Sequence, residues 1–186
     1  KLLIATNEND ILKRVLKTGN YKPTDVKHTF SPSMDIQVAS NFERLVFDIN
    51  SCNSNKTLKL MNNLSKYGEF QIEKEELKKI KDSFFSESLS EEETKSTIRE
   101  MYKNHRMLID PHTAVGIGVA KKISLEGSTI VLATAHPSKF SDVVMEACGT
   151  KPELPENLKN VLVEKENYDK LPKDIEKVKN YILKRI

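Results

Sequence analysis

The chain has 186 residues, enough for a domain with a substantial core, and its net charge of only +3 comes from 30 basic and 27 acidic residues that intersperse. That pattern, with no tryptophan and 6% aromatic residues, argues against the clustered basic footprint and stacking platform of a nucleic-acid binder. No apolar run approaches the roughly 18 residues of a membrane span, and no secretory leader is visible. Cys52 and Cys148 stand far apart in no metal spacing, so the expectation is a cytoplasmic protein with reduced thiols, no metal and no membrane.

The chain opens Lys1-Leu2-Leu3-Ile4-Ala5-Thr6, without Met, like a strand entered from something upstream; a longer protein is expected. Leu2 to Ala5 is a continuous apolar run, the pattern of a strand buried on both faces of a parallel sheet. Thr6 to Asp10 then turns into a helix from Ile11 to Lys17 with Ile11, Leu12, Val15 and Leu16 on one face, stopped by Gly19. Pro32 keeps Ser31 out of helix, and Ser33 is a candidate cap for a helix from Met34 to Asn50 with Ile36, Ala39, Phe42, Val46 and Ile49 at helical spacing. A further helix is expected from Lys56 to Lys66, ending at Gly68, and a charged one from Lys74.

Ser86 to Leu89 is a candidate strand. Ser90-Glu91-Glu92-Glu93 is a capping box opening a helix to Asn104, with Thr97, Ile98, Met101 and Tyr102 inward. Asp110 and Pro111 open the next helix, Asp110 as N-cap and Pro111 where its missing donor costs nothing. Gly116 and Gly118 with Ala114 and Ala120 give that helix a small face suited to a sheet. Thr129 to Leu132 reads as a buried strand, followed by a polar turn and a helix from Ser138 to Cys148. Beyond Gly149 prolines punctuate a charged tail, with Val161-Leu162-Val163 as a candidate strand and a last helix from Lys173 to Arg185 facing Ile175, Val178, Tyr181 and Ile182 inward.

In an open α/β sheet, ligands collect where strands end. Thr134, His136 and Lys139 lie on such a turn, and polar clusters also open the helices near Asp10 and Pro111. Helix N-termini favour anions, and Lys139 and Arg44 can add charge-assisted bonds to a phosphate or carboxylate. Each cluster alone reads equally as capping: Asp110 and Ser33 as caps, Arg44 as surface charge or partner of Asp35. No second metal ligand stands at fixed spacing from His112 or His136, and no Gly-rich phosphate loop occurs.

Four segments together resemble the threonine synthase family, in the order and spacing of its longer bacterial and fungal branch. They are Ile4-Ala5-Thr6-Asn7-Glu8-Asn9-Asp10; Ser31-Pro32-Ser33-Met34-Asp35-Ile36 with Ser40-Asn41-Phe42-Glu43-Arg44; Asp110-Pro111-His112-Thr113-Ala114; and Ala133-Thr134-Ala135-His136-Pro137-Ser138-Lys139-Phe140. The resemblance covers most of residues 1–148. It implies a fold type II enzyme using pyridoxal 5'-phosphate (PLP), here an α/β fold with an open, mostly parallel sheet flanked by helices and a peripheral helical insertion. It implies conversion of O-phospho-L-homoserine and water to L-threonine and phosphate.

The resemblance also distributes roles. The family's cofactor-bearing lysine and phosphate loop lie upstream of every segment present here, so this chain alone is expected to be inactive and to need the remainder of the same enzyme. Thr134 resembles the neutral hydroxyl beside the cofactor's pyridine nitrogen. Ser33, Asn41, Arg44, His112, Thr113, His136 and Lys139 are the candidate substrate contacts. The expected segments are 1–55 and 107–150 for the α/β part, 56–106 for the insertion and 151–186 for the tail. The alternatives are another amino-acid PLP lyase of this fold, or a non-catalytic binding domain derived from one.

Overall fold

The computed structural model describes every residue except 124, 125 and 162. Two units divide it, Lys1–Glu153 and Leu154–Ile186. In the first, the apolar opening run forms β1 (Leu2–Thr6), which leads into α1 (Ile11–Thr18). Gly19 ends that helix at φ +79°, its N–H donating to the Val15 carbonyl at 2.7 Å. Only glycine takes this conformation without strain, and a Cβ here would also stand 2.5 Å from the Gln71 side chain. The chain reverses into β2 (Asn20–Tyr21), which later pairs antiparallel with β3 (Phe70–Gln71).

Three helices lie between and after these short strands: α2 (Phe42–Ile49), α3 (Ser54–Tyr67) and α4 (Lys74–Ser83). They close a core of Ile11, Val15, Leu16, Tyr21, Phe42, Val46, Ile49, Phe70, Ile72 and Ile80. Tyr21 is its centre, stacked on Phe42 and Phe70 at 5.5 and 4.8 Å, with its buried hydroxyl accepting the Ala39 N–H at 2.8 Å.

Next comes β4 (Phe84–Ser88), parallel to β1 in the register Leu2↔Phe84 to Thr6↔Ser88. Successive side chains of a strand face opposite ways. Ile4 and Phe84 therefore pack on the first core, while Leu3 and Ala5 join Leu89, Val115 and Val119 under α6 (Pro111–Ile123). Gly118 makes that approach possible, since a Cβ there would sit 2.5 Å from a Leu89 methyl. A third cluster, Ile98, Ile109, Ala114, Val144 and Ala147, binds α6 to α5 (Glu91–His105) and α7 (Ser141–Cys148). The result is α/β, with a two-stranded parallel sheet between helical layers.

Several elements differ from the sequence expectation. The helix expected from Met34 starts only at Phe42: Pro32–Met34 close a 3-10 turn, and the Asp35 side chain is engaged by Asn7, Asn9 and Thr29 instead of the helix. Ser33 thus lies inside that turn and caps nothing, and Ile36 is exposed. Thr129 to Leu132 forms no strand, and among the described residues none runs beside it; Ile130 is 88% and Leu132 77% exposed. Leu2 is 59% exposed for a related reason: β1 has a neighbour on one edge only. Within 56–106, helices α3 and α4 lie outside the parallel sheet, whereas β4 enters it and α5 enters the core, so this stretch is not peripheral throughout.

In the second unit, Asp174 caps α8 (Ile175–Leu183) by accepting the Lys177 N–H at 3.0 Å. Val178 and Tyr181 are half-buried, but Ile175 and Ile182 are exposed, not inward as expected. Val161 and Val163 stand in turns instead of the expected strand, whose middle residue, Leu162, lies outside the described residues.

Candidate functional site

The parallel strands β1 and β4 end at the same side of the sheet, and their following loops meet there. Asn7, immediately after β1 and wholly buried, donates to Thr29 Oγ1 at 2.7 Å, Ser31 Oγ at 3.0 Å and Asp35 Oδ1 at 2.8 Å. Asn9 also donates to Asp35 Oδ1, and the Thr29 N–H donates to Asp35 Oδ2 at 2.9 Å. After β4, Glu91 accepts the Phe30 N–H at 2.8 Å, and Lys95 sits 4.6 Å above the Phe30 ring. Burial, reinforced by Glu8 and Asp35, holds the Glu91 carboxyl above its usual range despite that bond. The loop that carries Ser33 is thereby pinned to both strand ends.

Asp110 is the second fixed point. Its side chain is fully enclosed, and Oδ1 accepts the His112 N–H at 2.9 Å and the Thr113 N–H at 3.4 Å, satisfying the first turn of α6 and its positive end. His112 Nδ1 lies 2.9 Å from the same oxygen. His112 Nε2 faces the Ser33 N–H at 3.3 Å. A backbone N–H can only donate, so Nε2 is the acceptor and the ring proton sits on Nδ1, toward Asp110. The ring is further confined by Phe140, 4.7 Å away and tilted by 58°. The Thr113 hydroxyl donates to Asp110 Oδ2 and accepts the Thr134 N–H at 3.4 Å.

Ser33, His112, Thr113 and Thr134 are therefore joined through Asp110. Beside them lies a cavity of about 480 Å³ lined by Asp110, Thr113, Ala133, Ala135, His136 and Pro152, a size suited to a small molecule. Ala133 and Ala135 both line the cavity, while Thr134, between them, is exposed, and its hydroxyl has no hydrogen-bond partner among the described residues. His136 caps the 3-10 turn Pro137–Phe140, its Nδ1 accepting from the Ser138 N–H at 3.3 Å and lying 2.7 Å from the Ser138 hydroxyl. Lys139 sits on the same turn, exposed and without an ion-pair partner among the described residues.

Arg44 and Asn41 do not join this group. Arg44 lines a separate cavity of about 580 Å³ with Ser40, Glu43, Phe47, Thr57 and Leu58, and its guanidinium has no carboxylate partner among the described residues. Asn41 precedes α2 without capping it. Asp35 pairs with Asn7, Asn9 and Thr29, not with Arg44. The sequence reading passed over the buried asparagines; two of them, one residue apart directly after a strand, were the available signal. No group of three or more metal-ligating side chains occurs among the described residues, and no helix among them is long and apolar enough to cross a membrane.

Comparison with known proteins gives a consistent result. A family model described as "Threonine synthase, C-terminal" matches residues 113–182. Threonine synthase of Pseudomonas aeruginosa is 36% identical over 98% of this chain and 39% of its own length; that of Saccharomyces cerevisiae is 38% identical over 98% and 41%. The crystal structure of PLP-bound threonine synthase from Brucella melitensis superposes with a TM-score of 0.86 at 40% identity, over 98% of this chain and 39% of that one. The chain thus spans about two fifths of the length of the curated relatives it matches. By sequence and by fold, the chain belongs to the threonine synthase family and corresponds to the C-terminal part of its members.

Proposed function

We propose that this chain serves as the C-terminal part of a cytoplasmic threonine synthase, which converts O-phospho-L-homoserine and water to L-threonine and phosphate with PLP as cofactor. The observation that carries the reading is Thr134: a neutral hydroxyl, without a partner among the described residues, on a segment whose backbone is tied, through Thr113, to the buried Asp110. That residue fits the edge of a pyridine ring, because a hydroxyl can donate a hydrogen bond to the ring nitrogen without favouring the nitrogen's protonated form, as a carboxylate would. PLP supplies an electron sink for the carbon acid chemistry of the amino-acid substrate. The covalent anchor and the phosphate loop belong, on this reading, to an upstream portion of the full-length protein. Exposed Leu2, Ile130 and Leu132, apolar and aligned along strand-like segments, support a role for such a portion as their cover.

The remaining residues divide by what they are free to do. His136 Nε2 and the Lys139 ammonium have no partners among the described residues and stand on one turn with Thr134, so they are available to a phosphate or carboxylate of the substrate. Ser33 presents its hydroxyl from a loop fixed at both strand ends. Arg44 and Asn41 are substrate contacts only if the substrate or the upstream portion bridges from their own cavity to this one. His112 and Thr113 act mainly by holding Ser33 and Thr134 in place. Free Cys52 and Cys148 accord with a reducing compartment.

The test is direct. The full-length protein, loaded with PLP, is expected to release L-threonine and phosphate in equal amounts from O-phospho-L-homoserine. Cofactor binding without product would turn the reading toward another lyase, and no cofactor binding toward a non-catalytic domain.

A further inference from the structure

We infer that Asp110 is a positioning residue that sets the separation between the substrate loop at Ser33 and the cofactor-facing segment at Thr134, through two arms that start from its two carboxylate oxygens. This inference rests on the reading of Ser33 and Thr134 proposed above. One arm runs from Oδ1 through His112 Nδ1 and Nε2 to the Ser33 N–H, at 2.9 and 3.3 Å. The other runs from Oδ2 through the Thr113 hydroxyl to the Thr134 N–H, at 3.4 Å for its last bond. The carboxylate is enclosed, so water does not compete for either oxygen, and the imidazole ring is 7% exposed.

Simple capping of α6 explains only part of this. The Oδ1 bonds to the His112 and Thr113 N–H groups satisfy the helix start. They do not require an imidazole whose far nitrogen reaches another loop, nor a hydroxyl that reaches the segment at 134. Both chains of bonds also have a fixed direction. The Ser33 N–H can only donate, so His112 must carry its proton on Nδ1; the Asp110 carboxylate can only accept, so Thr113 must point its proton at Asp110 while its oxygen accepts the Thr134 N–H. An acceptor-only group at position 110 is the one arrangement that receives both. An asparagine there offers one acceptor oxygen and one NH2; with the oxygen held by the three N–H donors at the Oδ1 position, the Thr113 hydroxyl loses its acceptor and the Thr134 arm its fixed direction.

The consequence is a division of labour that mere helix capping would not produce. Loss of the Thr113 hydroxyl should disturb the Thr134 side, and loss of the His112 ring nitrogens the Ser33 side. The test uses the full-length protein and reads three quantities. First, ¹⁵N resonances of His112 should report the single Nδ1–H tautomer in the wild type and lose it in Asp110→Ala, which removes the acceptor altogether, whether or not cofactor is bound. Second, Thr113→Val should raise the PLP dissociation constant roughly tenfold, the scale of a lost hydrogen bond to a charged group, and more than it raises the substrate KM. Thr113→Ser should restore it. Third, His112→Phe should raise the substrate KM more than the PLP dissociation constant.

In Asp110→Asn/Thr113→Val, the loss of cofactor affinity should be smaller than the product of the two single losses, because both act through one chain of bonds. Equal effects of Thr113→Val and His112→Phe on both constants, or multiplicative effects in the double variant, would overturn the inference. So would an Nε2–H tautomer in the wild type. If the wild-type protein binds no PLP, the functional reading fails; the tautomer and its dependence on Asp110 still decide the first arm.

Discussion

Asp35 illustrates how much of this site is made by polar groups that bind one another. Its carboxylate receives Asn7 and Asn9 side-chain amides and both donors of Thr29, from residues six to 28 positions away. Removing it takes one acceptor from each of those donors, two of them on asparagines that are wholly or almost wholly buried, and leaves the Thr29 N–H without its partner. Asp35→Ala should therefore destabilise by about 1–3 kcal/mol, read as a lower urea midpoint of the full-length protein. A midpoint within error of wild type would show that the loop does not depend on this network. Asp110 was legible from sequence as a cap because an N-cap signature is local: Asp followed by Pro. The Asp35 network was not, since its partners lie on another loop, and residues 34–41 were read as helix by their apolar spacing alone.

Helix α5 is the element whose sequence signature and structure agree most closely. Ser90 Oγ accepts the Glu93 N–H at 3.3 Å, and Glu93 accepts the Ser90 N–H at 2.9 Å. Lys122 from α6 adds a 2.9 Å bond to the same carboxylate, and this, followed by the Ser90 N–H, holds the Glu93 carboxyl down to about 2. Ser90→Ala should cost about 1 kcal/mol. The pH dependence has a definite sign. The folded value lies below the ordinary 4.5, so the stabilisation by Glu93 is complete above pH 4.5 and disappears as pH falls toward 2. The stability gap between wild type and Glu93→Gln should accordingly narrow over that interval; a gap that widens on acidification would contradict the assignment. Where elements were misread, the missing information was tertiary. Periodicity marks Thr129–Leu132 as apolar and extended but cannot say whether a neighbouring strand pairs with it.

At the scale of the whole molecule, the layout of the site follows from parallel pairing. β1 and β4 run the same way, so the loops after Thr6 and Ser88 emerge together, and the Ser33 loop is tied to both. Polar clusters that open a helix were readable at Thr6–Asp10 and Asp110–Ala114, and this is why several of the candidate residues converge. The joining of β1 to β4, 82 residues apart at its start, was not readable, and it turns part of the stretch expected to be peripheral into the sheet itself. The central claim, that Thr134 faces the cofactor's ring nitrogen in a threonine synthase, is tested most directly by phosphate release from O-phospho-L-homoserine. The comparison is between full-length wild type, Thr134→Ser and Thr134→Asp, each saturated with PLP. The account predicts that the serine variant, which keeps the hydroxyl, retains most of the turnover. The aspartate variant, whose negative charge would favour a protonated ring nitrogen, should lose at least roughly tenfold, about 1.4 kcal/mol of barrier. Unchanged turnover in Thr134→Asp would contradict it.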